Sequence, residues 1–350
     1  MIHPLLLAMA AHMPAATAAD ELAANPGIPA AAVITVQCDQ ITIAVAGVSV
    51  SNAPARVDER SRFNIGSNAK SMLATLAATL VEEDRLSWDT TVAQSSAFSG
   101  VAIHPELRAV TLEELLSHTS GIAAFASGDQ LDTVAVEGNA QEQRARFAAL
   151  ALAREPEQAR GAYLYSNAGY VVAAEMIADA AGEPLFDALQ RRVFGPLGMD
   201  AHLGEPSAVG ADQPRGHTAS DEGPTPLEPG RDAIPDFLDP AGNISLTPDS
   251  YGRYLQSHLC GLEGEGELLS TQSYARLHQA VGGTGYALGW AKADLPPGHA
   301  SFHVGGTGAF TTIAALVPET GRGVAVMINV GGDEPRTAGI ATVLELLESP

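Results

Sequence analysis

Residues 62–80 read RFNIGSNAKSMLATLAATL and place Ser67 and Lys70 one helical turn apart. Residues three apart share a helix face. Met72, Leu73, Leu76, Ala77 and Leu80 follow at helical spacing, so an apolar stripe anchors the helix and holds the hydroxyl and amine near its start. Gly66 lets the backbone turn sharply into the helix. The first-turn N–H groups lack helical partners and sit beside the hydroxyl, where they could stabilise charge developing on a reacting oxygen.

The chain has two lysines, Lys70 and Lys292, and every other side-chain cation apart from histidine is Arg. Lysine can do one thing arginine cannot. A desolvated amine falls from its usual pKa of about 10.4 and acts as a base, whereas a guanidinium stays charged. The plain alternative is a surface lysine on an ordinary helix.

With 350 residues and 46% hydrophobic content, the chain has enough apolar surface for one complex domain or two coupled subdomains. A net charge of −22 argues against binding nucleic acid by phosphate neutralisation and against docking on an anionic membrane. Cys38 falls in a β-like run and Cys260 at a helix end. Without a C-x-x-C pattern, both read as buried apolar residues rather than a disulfide or metal ligands. No H-E-x-x-H occurs, and neither a metal nor a cofactor is expected. No stretch is long enough to span a bilayer. An apolar run at 5–13 followed by Ala16-Thr17-Ala18 resembles a signal peptide without its basic start. Residues 1–20 are therefore an extension or a signal-like segment, and cytoplasmic and exported locations stand level.

Strand-like runs occur at 30–38 and 41–50, then again at 286–293, 301–304, 310–317 and 323–330. Helical patterns fill the middle. One is 111–117, with Thr111 as N-cap and Glu114 completing a capping box, and a further helix closes the chain at 334–347. Residues 205–240, rich in Pro, Gly and Asp, read as irregular. The economical fold is α+β. It has one antiparallel sheet built from about 21–60 and 283–350, terminal helices covering it, and a large, mostly helical region over about 61–282. Residues 21–350 then form one catalytic domain, with a cleft where sheet and helical region meet.

Three segments carry reactive groups: Ser67 with Lys70; Tyr165-Ser166-Asn167 at a helix start; and His303-Val304-Gly305-Gly306 on or beside a strand. Acyl transfer needs a nucleophile, a base, a proton donor for the leaving atom and donors for the oxyanion. Ser67, Lys70, Tyr165 and His303 could fill these roles, and the glycines after His303 let backbone approach a substrate. Singly, each has a bland reading: Tyr165 as core packing, Asn167 as a helix cap, Gly305-Gly306 as a bulge. Together, in this order, they favour chemistry.

With these motifs the chain resembles the serine β-lactamase-related family, which includes class C β-lactamases, DD-peptidases, D-aminopeptidases and family VIII carboxylesterases. The likeness extends to P-G-I-P at 26–29, L-L-S-H-T-S-G-I at 115–122, P-L-G-M at 196–199, A-G-N-I-S-L-T at 241–247 and G-Y-A-L-G-W at 285–290. The resemblance implies Ser67 as the acylated nucleophile and Lys70 easing loss of its proton. It implies Tyr165 as general base with a phenol pKa depressed by Lys70. Asn167 would hold Lys70 or the substrate amide, and the Ser67 and Gly306 amides would form the oxyanion hole. His303 stands where class C β-lactamases carry Lys, a fixed cation for a substrate carboxylate. A histidine is mostly neutral at pH 7.

The expected activity is therefore acyl-enzyme hydrolysis of small esters or D-amino-acid amides and peptides, with esterase-like chemistry ahead. A penicillin-recognising DD-peptidase or class C-like β-lactamase is the alternative, and a non-catalytic binding module of the same fold is a third. The partner is a small-molecule ester, amide or peptide. Oligomeric state is open.

Overall fold

A computed structural model describes residues 14–229, 231, 234–295 and 298–349. The apolar run at 5–13 lies outside them. The fold is α+β. Strands from both ends of the chain form one six-stranded sheet, in the spatial order Gln40–Gly47, Ala30–Gln37, Arg322–Ile328, Thr311–Val317, Gly298–Gly306, Ala291–Leu295. All five pairings are antiparallel.

The sequence of the central strands follows from burial on both faces. In Ala30–Gln37, the side chains of Ala30, Ala32, Ile34 and Val36 join the core shared with the helical region. Ala31 and Val33 point the other way, into a core closed by Ala18 and Leu22 of the helix Ala15–Ala24 and Val343 and Leu346 of the helix Asp333–Glu348. Successive side chains alternate across a strand. A strand apolar on both sides reads as one continuous hydrophobic run.

The larger core is built around the helix Ala69–Glu82, in which Met72, Leu73, Leu76, Ala77 and Leu80 are all buried. Burying each leucine contributes about 1.5–3 kcal/mol. This helix packs against Asn167–Ala181 and the short helix Asp239–Gly242. The capping box expected at 111–117 forms: Thr111 Oγ1 accepts from the Glu114 N–H, and the Glu114 carboxylate accepts from the Thr111 N–H. Among the described residues of 205–240 the backbone is mostly irregular.

Two expectations need correction. Residues 286–293 are not one strand: Tyr286 pairs with Ala291 as an isolated bridge, and the strand begins at Ala291. Gly285 and Gly289 take φ of +74° and +81°, so the chain turns instead of extending. A Cβ on Gly289 would lie 2.5 Å from Ser71 Cα, so this turn packs directly on the first turn of the Lys70 helix. Second, Cys38 and Cys260 form a disulfide, with Cα atoms 5.4 Å apart and a separation of 222 positions in sequence. Folding lays the turn after Ala30–Gln37 against the end of the helix Pro248–Glu263, a proximity that no local pattern encodes.

Closing so long a loop restricts the unfolded chain, and losing such a bond costs about 2–5 kcal/mol. Reduction, or Cys38→Ser, should therefore lower the melting temperature by about 3–7 °C for a chain of this size. Calorimetry with and without dithiothreitol measures this, and an unchanged transition would show that the bond contributes nothing to stability.

Candidate active site

The turn bearing Ser67 is held before any side chain of the site is considered. Phe63–Asn64 pairs with Ile244–Leu246 in a small sheet. The Gly66 N–H donates to Asn64 Oδ1 (2.9 Å), and the Asn64 amide donates to Asn243 Oδ1 (2.9 Å). Asn68 donates to the carbonyls of Ile65 (3.1 Å) and Thr312 (3.0 Å) and accepts from Tyr251 OH (2.8 Å). Gly66 has φ +51°. A Cβ there would lie 2.5 Å from the Gly306 nitrogen, and one on Gly305 would lie 2.1 Å from the Ile65 oxygen. Gly242 faces the same turn from the other side, its hypothetical Cβ 3.1 Å from Gly66 C. The turn is thus sandwiched between two glycine-bearing backbones, which brings the Gly306 N–H beside Ser67.

Ser67 Oγ sits between two polar groups. Lys70 Nζ is 2.9 Å away and Tyr165 OH is 2.8 Å away. Lys70 is fully buried. Its Nζ also bonds Asn167 Oδ1 (2.9 Å) and the Ala241 carbonyl (2.6 Å). The Asn167 amide is oriented by Nδ2 donating to the Phe125 carbonyl (3.0 Å), so its oxygen faces the amine. The three partners of Lys70 are neutral. A neutral amine offers two N–H donors and one lone pair, matching two obligate acceptors and one hydroxyl.

Burial pushes the Lys70 pKa well below its ordinary value. One feature opposes this: Nζ lies 4.9 Å and 5.4 Å from the ring centroids of Tyr165 and Tyr170. Cation–π contact favours the ammonium by about 0.5–2 kcal/mol. Desolvating an ion costs several kcal/mol, so burial prevails. Burial also raises the Tyr165 phenol pKa, partly offset by its bond to Ser67. The depressed phenol implied by the resemblance is therefore not what this environment produces. Enclosure by rings outweighs the nearby amine, because an uncharged amine offers the phenolate no opposing charge.

His303 is buried as well. Its ring nitrogens bond the Val304 carbonyl (3.1 Å) and Tyr286 OH (3.0 Å). Burial first, and second the Lys70 ammonium wherever the amine is protonated at acid pH, push its pKa down to about 3. Its ring is therefore uncharged at neutral pH.

Three groups of the site were not singled out beforehand. The Ala241 carbonyl belongs to A-G-N-I-S-L-T, Tyr286 to G-Y-A-L-G-W and His118 to L-L-S-H-T-S-G-I. Each motif was visible, but a backbone acceptor leaves no signature in residue type, and aromatic rings read first as core.

Comparison with known proteins bears on the family and the fold. The Beta-lactamase family model matches residues 15–348. "Penicillin-binding protein 4" of Amycolatopsis lactamdurans is 30% identical over 331 residues, covering 89% of this chain and 84% of that protein. The "D-alanyl-D-alanine-carboxypeptidase/endopeptidase AmpH" of Escherichia coli (strain K12) is 24% identical over 63% of this chain, which spans 58% of that protein's length. Among solved structures, the D-amino acid amidase from Ochrobactrum anthropi SV3 superposes with a TM-score of 0.75 at 21% identity, covering 95% of this chain and 96% of that one.

The buried histidines give a pH test. His258 and His303 both titrate near 3 in the fold and near 6.5 when unfolded. Between these values the unfolded chain binds protons that the folded one does not, so stability falls as pH drops from about 6.5 towards 3, by about 1.4 kcal/mol per pH unit per histidine. His303→Gln should flatten that slope by one proton's worth, as measured by urea unfolding across pH. An unchanged slope would mean that His303 titrates normally.

Proposed function

The chain belongs to the Beta-lactamase family of serine hydrolases, and on that footing we propose that it hydrolyses small neutral esters, or D-amino-acid amides and peptides, through an acyl-enzyme on Ser67, with esters favoured. The observation that carries this reading is Ser67 Oγ held between Lys70 Nζ and Tyr165 OH at 2.9 and 2.8 Å. Residues 21–350 act as one catalytic domain in this reading.

Ser67 Oγ attacks the substrate carbonyl carbon and passes its proton to the Lys70 lone pair. The resulting ammonium has three N–H donors for Asn167, Ala241 and the Ser67 oxygen, so the transient charge is solvated by neutral oxygens already in place. The oxyanion is met by the N–H groups of Ser67 and Gly306. As the tetrahedral intermediate collapses, the protonated Tyr165 phenol gives its proton to the leaving oxygen or nitrogen, and the Lys70 ammonium returns a proton to the phenolate. Water repeats the sequence on the acyl-enzyme, with its proton going to Lys70 and the Ser67 hydroxyl restored.

The preference for neutral substrates rests on His303. It is neutral, buried and bonded at both ring nitrogens, so it cannot anchor a substrate carboxylate as a lysine at that place would. The penicillin-binding and DD-carboxypeptidase names of the relatives support a second reading, in which a labelled penicillin leaves a stable adduct visible by intact mass. The Cys38–Cys260 bond supports an oxidising compartment, since cytosolic thiols stay reduced.

The unaltered protein should turn over short-chain p-nitrophenyl esters and be labelled by a fluorophosphonate, and Ser67→Ala should abolish both. Unaltered turnover in Ser67→Ala would end this reading. Because Lys70 must be unprotonated to accept, kcat/KM should rise with pH through its lowered pKa, well below the ordinary value of about 10.4. Lys70→Arg should remove that rise and at least about 99% of activity, since a guanidinium cannot shed its charge. A Lys70→Arg variant as active as the unaltered protein would exclude Lys70 as the base.

A further inference from the structure

His118 lies outside the groups that touch the reacting serine, yet it is bonded to the chain on both sides of Tyr165. Its backbone oxygen accepts from the Leu164 N–H (2.8 Å), and its Nδ1 accepts from the Ser166 N–H (3.0 Å). The residue is 1% exposed. Its ring centroid is 4.3 Å from that of Tyr165, 4.7 Å from Tyr286 and 5.1 Å from Tyr170.

We infer that His118 is a positioning residue for Tyr165: its backbone oxygen and its Nδ1 grip the peptides before and after the tyrosine, and its ring backs the phenol, so that Tyr165 OH is aimed at Ser67. The inference rests on the acyl-transfer reading above. Three further observations agree with it. His118 has φ +61°, a conformation that non-glycine residues seldom adopt and that turns its side chain back onto the Tyr165 segment. An accepting Nδ1 requires the ring proton on Nε2 and an uncharged ring; burial, the largest cause, disfavours the imidazolium. The rest of the segment is tied down separately, by Ser166 Oγ donating to the Ala123 carbonyl (2.7 Å) and the Asn167 N–H to the Ala124 carbonyl (2.8 Å). The imidazole therefore sets the direction of one residue, while the segment keeps its place without it.

The location of the acceptor decides the test. Asparagine tolerates positive φ and carries its oxygen at the δ position, where Nδ1 stands. Glutamine is closer to histidine in size but carries its oxygen one bond further out. Ester turnover, melting temperature and fluorophosphonate labelling of Ser67 are compared for the unaltered protein, His118→Asn, His118→Gln, Tyr165→Phe and the double variant His118→Gln/Tyr165→Phe. His118→Gln should lower kcat by about 10–100-fold, the scale of a misplacement near 1 Å, with KM nearly constant. His118→Asn should keep kcat within about threefold. Adding His118→Gln to Tyr165→Phe should change kcat by no more than about twofold, because the group that it aims is already gone. The inference is overturned if Gln serves as well as Asn, or if the two losses multiply in the double variant. If Ser67 is not labelled in the unaltered protein, the acyl-transfer reading itself fails, whatever the His118 variants do.

Discussion

The organising constraint of this protein is a lysine side chain taken wholly out of water and given only neutral partners. Lys70 Nζ meets a hydroxyl, an amide oxygen and a backbone carbonyl. A carboxylate there would have fixed the ammonium. Neutral oxygens leave desolvation in control, so the uncharged amine is favoured while a passing charge can still be solvated. The three acceptors come from the same helical turn, from the start of Asn167–Ala181 and from the short helix Asp239–Gly242, so the site exists only when three separate elements are docked.

That docking depends on close backbone approach. Gly66, Gly242 and Gly305 stand where two or three chains come within van der Waals distance of one another. A side chain at any of them would push the sheet edge or the short helix off the Ser67 turn. Asn64 and Asn68 complete the mount: Asn64 Oδ1 accepts from the Gly66 N–H, and the Asn68 amide ties the Ile65 carbonyl to that of Thr312 in the sheet. The precision of the Ser67 position therefore comes from backbone contacts and two amides.

Much of the fold was legible in the sequence because its signals are local. The apolar stripe of 72–80, the capping box at Thr111–Glu114 and the hydrophobic runs at both ends of the chain each report the periodicity of one element. Ser67 and Lys70 could be paired because one helical turn fixes their separation. The strand expected at 286–293 failed because two glycines with positive φ reverse the chain inside an otherwise strand-like composition. The Cys38–Cys260 bond was missed for a different reason: its partners are brought together only by the packing of a helix on a sheet.

By itself, then, the sequence determined which side chains are available: a serine and an amine on one helix face, a phenol beside an amide at a helix start, and a histidine beside glycines. Periodicity and residue type are local properties, so they survive reading in one dimension. The tertiary structure alone decided the protonation states and partners. Burial lowers the Lys70 and His303 pKa values and raises that of the Tyr165 phenol, because the free energy of an ion depends on the solvent and dipoles around it. Those surroundings include a backbone carbonyl 171 positions away from Lys70 in sequence.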